Sequence, residues 1–126
     1  MHYNESILKH FKNPHNQGEI KNPDGVGEAG NPVCGDIMQI FIDVEDDKIA
    51  DIKFQTLGCG VAIATSSVLT DLAKGKTLTE AERISKMDIV DALGGKDRVP
   101  PTKIHCSLLA EDALKKAIRN YRSKNK

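Results

Sequence analysis

Apolar and polar positions change their period several times along the chain. In "IMQIFIDVE", Met38, Ile40, Ile42 and Val44 alternate with Gln39, Phe41, Asp43 and Glu45, the period of two expected of a strand with one apolar face. "DDK" at 46–48 reads as a turn. "IADIKFQTL" then alternates again, with Ala50, Ile52 and Phe54 set against Asp51, Lys53 and Gln55. Two such runs joined by three polar residues predict an antiparallel hairpin. A weaker strand is expected near Val26–Ala29, within the turn-rich run "NPHNQGEIKNPDGVGEAGNP", whose composition also predicts mobility in the N-terminal quarter, residues 1–24.

The helical segments differ in character. Glu5–Phe11 can place Ile7, Leu8 and Phe11 on one side. "VAIATSSVLTDLAKG" carries no charge from Val61 to Thr70 and uses small residues, which predicts a helix buried on most sides and stopped at Gly75. "TEAERISKMDIVDALGG" suggests two short helices, with Thr79 and Glu82 spaced as a capping box and Gly94 as a terminator. From His105 onward, Cys106, Leu109, Ala110, Ala113, Leu114, Ala117, Ile118 and Tyr121 recur at helical spacing. Leu108 is the apolar residue off that stripe. The expected fold is α+β: one domain over residues 1–126, a small three-stranded antiparallel sheet packed against helices, with a mobile N-terminal segment.

Composition narrows the function. Eighteen basic residues balance eighteen acidic ones, so no net field draws the chain to nucleic acid or an anionic membrane. The first residues hold no long apolar run, so no signal peptide is expected, and a cytoplasmic setting follows as the default. In that setting three cysteines do not form a disulfide framework; metal binding or thiol chemistry remains.

Each cysteine falls at an element end. Cys34 sits in "GNPVCGD" before the first strong strand, two residues from Asp36. Cys59 lies between Gly58 and Gly60, where a strand gives way to a helix. Cys106 opens the last helix, after a Pro-Pro turn and Lys103. Separations of 25 and 47 residues do not suit a zinc knuckle, whose ligands come in close pairs. Helix starts favour thiolates at Cys59 and Cys106, and Lys103 adds a cation beside the latter. Buried filler is the plain alternative for any one cysteine, but not readily for three at element ends. His2, His10 and His15 show no comparable context and are expected at the surface. His105 adjoins Cys106, but neighbours on a helix point about 100° apart, so a Cys106–His105 catalytic dyad needs unusual geometry. A structural zinc protein and a thiol-dependent transferase using Cys106 are the alternative functions.

"GNPVCGD", "TLGCGVAIATSS" and "KIHCSLLAEDAL" resemble, in order and spacing, the three ligand motifs of the IscU/NifU N-terminal family of iron–sulfur cluster assembly scaffolds. The similarity runs over essentially the whole chain, including Tyr3 and the Asn13-Pro14 loop. Without a long insertion between Cys59 and Cys106, the chain is similar to the IscU branch rather than the zinc-bearing SufU branch. The resemblance implies a scaffold without independent turnover. Its Cys34, Cys59 and Cys106 would hold a transient 2Fe–2S cluster, with Asp36 or His105 as the fourth ligand and Lys103 adjacent. It implies zinc or iron on the same ligands in the cluster-free form. It also implies a pyridoxal-phosphate cysteine desulfurase that delivers persulfide sulfur, with Cys106 as first acceptor. Further implied partners are a frataxin-like protein or ferredoxin as iron or electron donor, and acceptor apoproteins; a homodimer stays open. A DnaK-class chaperone reads Leu-Pro-Pro-Val-Lys in bacterial members. Here the segment is Val99-Pro100-Pro101-Thr102-Lys103, different at two of five positions. The residue chemistry fits the implied role: thiolates hold iron and sulfide tightly, and a carboxylate is a harder, weaker corner from which a cluster can leave. Asp36 is the first choice for that corner and His105 the second.

Overall fold

The computed structural model describes residues 5–31, 36–58, 60–95 and 105–124. Their order is α1 (Glu5–Lys12), β1 (Gly25–Asn31), β2 (Asp36–Glu45), β3 (Lys48–Leu57), α2 (Gly60–Ala73), α3 (Leu78–Glu82), α4 (Lys86–Ala92) and α5 (His105–Lys124). The strands form one antiparallel sheet in the order β1-β2-β3. This is the expected α+β architecture. Among the described residues, no helix is long and apolar enough to cross a membrane.

The hairpin closes through Asp46 and Asp47, both at positive φ (53° and 63°), with Glu45 paired to Lys48. Two central residues of that hand match the twist of the flanking strands, so Lys48 already belongs to β3. Alternation buries Met38, Ile40 and Ile42 on β2 and Ile52 and Phe54 on β3. It breaks at a bulge: Asp43 pairs with Asp51 but Val44 pairs with Ile49, which leaves Ala50 as the extra residue. Ile49 is therefore buried and Ala50 exposed, opposite to the uninterrupted alternation read from the sequence. Phe41 was expected on the wet face, yet it is nearly buried. It stands between its cross-strand partners Val26 and Lys53, and side chains directly opposite on neighbouring strands share a face.

β1 is longer than expected and carries a feature absent from the sequence reading. Gly25, Gly27 and Ala29 alternate on its inner face and are buried, and α5 lies directly on them. A Cβ on Gly27 would run into the Ala113 carbonyl oxygen and the Ala117 nitrogen, and one on Gly25 into the Ala117 carbonyl oxygen. Asn120 Oδ1 accepts from the Val26 amide at 3.0 Å. Small residues at period two let helix backbone meet strand backbone.

α2 is buried around most of its circumference, including Thr65, Ser66, Ser67 and Thr70. Two of these hydroxyls are served locally: Ser66 donates to the Ala62 carbonyl at 2.9 Å and Thr70 to that of Ser67 at 2.7 Å. The helix ends at Ala73, and the chain turns away through Gly75 at φ 84°. Capping of α3 falls two residues earlier than expected. Thr77 is the N-cap, its side chain taking the Glu80 amide while Glu80 reaches back to the Thr77 amide. Starting there buries Leu78 and Ala81, and the Leu78 amide docks on the Asp47 carbonyl at 3.0 Å. Ser85 and Asp88 cap α4 in the same reciprocal way. At the far end, α5 is tied to α3 by the Arg122–Glu82 ion pair.

Candidate functional site at the converging element ends

Of the residues expected to form the site, Cys34, Cys59 and Lys103 lie outside the described residues. Asp36 and His105 are described in backbone only: Asp36 is the first residue of β2 and His105 the first of α5. Asp36 thus belongs to a paired strand, opposite Asn31, and not to the irregular loop anticipated for it. Cys106 is fully buried and joins the hydrophobic core. Ser107 is also buried, and its hydroxyl finds no hydrogen-bond partner among the described residues.

The described elements around these positions share one end of the molecule. Asn31 pairs with Asp36, and Ile37 with Leu57, so β1 ends, β2 begins and β3 ends together. The 32–35 connection that carries Cys34 spans the first two of these ends. Cys59 follows Leu57 by two residues and precedes the start of α2 at Gly60.

The path of α5 brings its first turn to the same end. Gly25 faces Ala117 and Tyr121, while Gly27 faces Ala113, Lys116 and Ala117. Lys116 Nζ reaches the Glu28 carbonyl at 3.3 Å. The helix therefore runs antiparallel to β1. From Gly27 to Asn31 the strand advances about 13 Å at roughly 3.3 Å per residue. About nine helical residues cover that length at 1.5 Å each. Counted back from Lys115, they reach Cys106, level with the end of β1.

Exposed apolar side chains mark this end. Leu57 is 68% exposed, Leu108 50% and Phe11 44%, and the Phe11 ring lies over the start of α2, within 3.2 Å of where a Gly60 Cβ would stand. Leu108 was the apolar residue off the α5 stripe.

A second group of ligand-type side chains was missed in the sequence. His10, on the last turn of α1, and His15, beyond the Asn13-Pro14 turn, meet Asp71 of α2. One ligand atom from each lies within 4.8 Å of the others. His15 Nδ1 is 2.7 Å from Asp71 Oδ2, and His10 Nδ1 is 2.7 Å from Ser67 Oγ. The two rings stand 4.8 Å apart at 60°. Burial, then the neighbouring His15, hold the His10 imidazole below its ordinary 6.5, with Asp71 opposing and Lys9 assisting. These histidines are partly buried and bonded, not the plain surface residues expected. The only local signal is two histidines on either side of a proline turn; nothing in the sequence points to Asp71.

A three-stranded antiparallel sheet backed by helices defines the class: a small α+β protein. Residues 2–126 match the family model described as the NifU-like N terminal domain, and the chain belongs to that family. It is 54% identical over 123 residues to "Iron-sulfur cluster assembly scaffold protein IscU 1" of Archaeoglobus fulgidus, covering 98% of this chain and 78% of that protein. It is 48% identical over 128 residues to "Iron-sulfur cluster assembly scaffold protein IscU" of Escherichia coli K12, covering 98% and 97%. Among solved structures, the N-terminal part of a nitrogen-fixing NifU-like protein from Brucella abortus superposes with a TM-score of 0.74 at 23% identity, over 96% of this chain and 94% of that one. That likeness is one of fold.

Proposed function

We propose that this chain is a scaffold for iron–sulfur cluster assembly, as its relatives are named. It builds a transient 2Fe–2S cluster as cargo and passes it to acceptor apoproteins. The observation that carries the reading is the convergence of the ends of β1 and β3 with the starts of β2, α2 and α5. Cys34 and Cys59 are each two residues from a described strand residue at that end, and consecutive Cα atoms are about 3.8 Å apart. We take both to lie within reach of the first turn that carries Cys106. Three thiolates supply soft ligands for iron. Asp36 or His105 completes the set, each placed at the same end by its backbone.

Sulfur arrives as a persulfide from a cysteine desulfurase. The Cys106 thiolate attacks the outer sulfur, the donor's S–S bond breaks, a new one forms on Cys106, and the donor cysteine leaves as thiolate. Reduction of that sulfur to sulfide takes two electrons, which a ferredoxin-class donor supplies. Exposed Leu57, Phe11 and Leu108 offer the desulfurase an apolar surface beside the site. Because Cys106 is buried, acceptance requires the first turn of α5 to open.

The test is anaerobic incubation with a desulfurase, cysteine and ferrous iron, followed by visible absorption. Charge-transfer bands that disappear on replacing any of the three cysteines by serine support the reading. Bands that survive loss of Cys34 and Cys59 together overturn it. Asp36→Ala is expected to slow cluster loss to an acceptor, since the remaining ligands are softer. Release that is unchanged or faster removes Asp36 from the weak corner.

A further inference from the structure

His10, His15 and Asp71 come from three parts of the chain and meet on the flank of α2. Asp71 is eleven residues beyond Gly60, roughly 16 Å up the helix axis at 1.5 Å per residue, so it stands well away from the converging ends. We infer that they form a second cation site, one that takes a first-row divalent transition ion of the zinc class and fastens the N-terminal segment to α2.

The donor set favours that class of ion. Two imidazoles and a carboxylate are borderline ligands, suited to zinc and its neighbours and poorly suited to magnesium or calcium, which prefer all-oxygen shells. Ligand atoms around a tetrahedral zinc with bonds of about 2.0–2.1 Å stand roughly 3.4 Å apart. The present separations lie within 4.8 Å, and the His15 Nδ1–Asp71 Oδ2 pair stands at 2.7 Å, so closure draws the wider pairs in by little more than an ångström and spreads that pair by less. The His15 and Asp71 side chains are 39% and 41% exposed, free enough to make that adjustment and leave an open position for water.

Outer contacts already orient the ligands. Ser67 Oγ takes the His15 backbone N–H at 2.8 Å and stands 2.7 Å from His10 Nδ1. A hydroxyl has two acceptor lone pairs. It can therefore hold both N–H groups, leaving the His10 Nε2 lone pair for the ion. Asn16 Nδ2 donates to Asp71 Oδ1 at 3.3 Å, which leaves Oδ2 to bind. That oxygen now meets His15 Nδ1, and the ion takes the place of the hydrogen between them while neutral His15 carries its proton on Nε2. Such partners commonly fix the orientation of metal-bound imidazoles and carboxylates.

The experiment uses the full chain with Cys34→Ser and Cys59→Ser, which removes the competing thiol centre and makes the outcome independent of the scaffold reading. Zinc is titrated at neutral pH by calorimetry, with the imidazole nitrogen resonances of His10 and His15 followed by NMR. The expected result is one equivalent bound, both rings perturbed together, and binding weakened at least about tenfold by His15→Ala and by the conservative Asp71→Asn. With cobalt as probe, the absorption should show nitrogen–oxygen coordination without sulfur charge-transfer bands. Unmoved ring resonances at one equivalent, or affinity indifferent to Asp71→Asn in a variant whose circular dichroism is native, would overturn the site and leave a histidine–aspartate hydrogen bond.

Discussion

Gly27→Ala tests the alignment on which the shared end of the molecule rests. The added methyl group meets the Ala113 carbonyl oxygen, the Ala117 nitrogen and the Lys116 carbonyl carbon. All three are backbone atoms of α5, so no side-chain rotation relieves the overlap and the helix itself must lift from β1. Overpacking of this kind costs about 1–3 kcal/mol; contact with three backbone atoms places it near the top of that range. Replacing glycine in an extended strand returns about 0.5 kcal/mol through the unfolded chain. The net loss is then about 2 kcal/mol, or a fall in Tm of roughly 8 °C for a chain of this size. Thermal unfolding by calorimetry reads it directly. Glu28→Ala, one residue along on the exposed face, is the control and should stay within about 0.5 kcal/mol. Under the scaffold proposal the lifted helix also carries the Cys106 turn away from the strand ends, so reconstituted cluster should fall with Tm. A Gly27→Ala protein with unchanged Tm would refute the close approach of α5 to β1 and the alignment drawn from it.

Other expectations follow from individual contacts. Ser67→Ala removes the acceptor of the His15 amide and the partner of His10. It should cost about 1–2 kcal/mol, with faster amide exchange confined to α1 and the 13–16 turn. Thr77→Ala removes the α3 N-cap and should cost about 1 kcal/mol by denaturant unfolding. The Thr77 amide and hydroxyl hold the Glu80 carboxyl below its ordinary 4.5. The folded state thus binds fewer protons there than the unfolded one, so the contribution is complete above the ordinary value and is lost as pH falls through the depressed one. Glu80→Gln should flatten that acid limb, and an unchanged limb would count against the capping box.

What the sequence revealed, and what it hid, divides along physical lines. Alternation placed β2 and β3, because a sheet with one covered face writes its period into the chain. It failed at Ala50, because a bulge adds a residue without a compositional mark and reverses the phase for Ile49. Thr77–Glu80 and Thr79–Glu82 are the same motif two residues apart. Burial of Leu78 against the hairpin decides between them, and that contact is tertiary. A common end for the three cysteines was expected from the family resemblance; what sets it, strand register and the Gly25-Gly27-Ala29 track that receives α5, leaves no mark in the sequence. His10, His15 and Asp71 stayed hidden for the same reason, as 56 residues separate His15 from Asp71.

One tension in the scaffold proposal has its resolution in the first turn of α5. A sulfur acceptor must be reached, yet Cys106 is buried. Its neighbour Ser107 is buried too, with a hydroxyl that lacks a partner among the described residues. Leaving such a group unpaired costs about 1–3 kcal/mol, comparable with what burying a small apolar side chain returns. That cost opposes closure of the turn, and opening it returns the hydroxyl to water as it exposes the thiol. Ser107→Ala removes that incentive and should stabilise the closed turn by about 1 kcal/mol. Labelling of Cys106 by a neutral thiol reagent, read by mass spectrometry under conditions where reclosing outpaces reaction, should then slow by about fivefold. Labelling at the parent rate or faster would show that the unpaired hydroxyl does not set the opening, and the access route to Cys106 would have to be sought elsewhere in the fold.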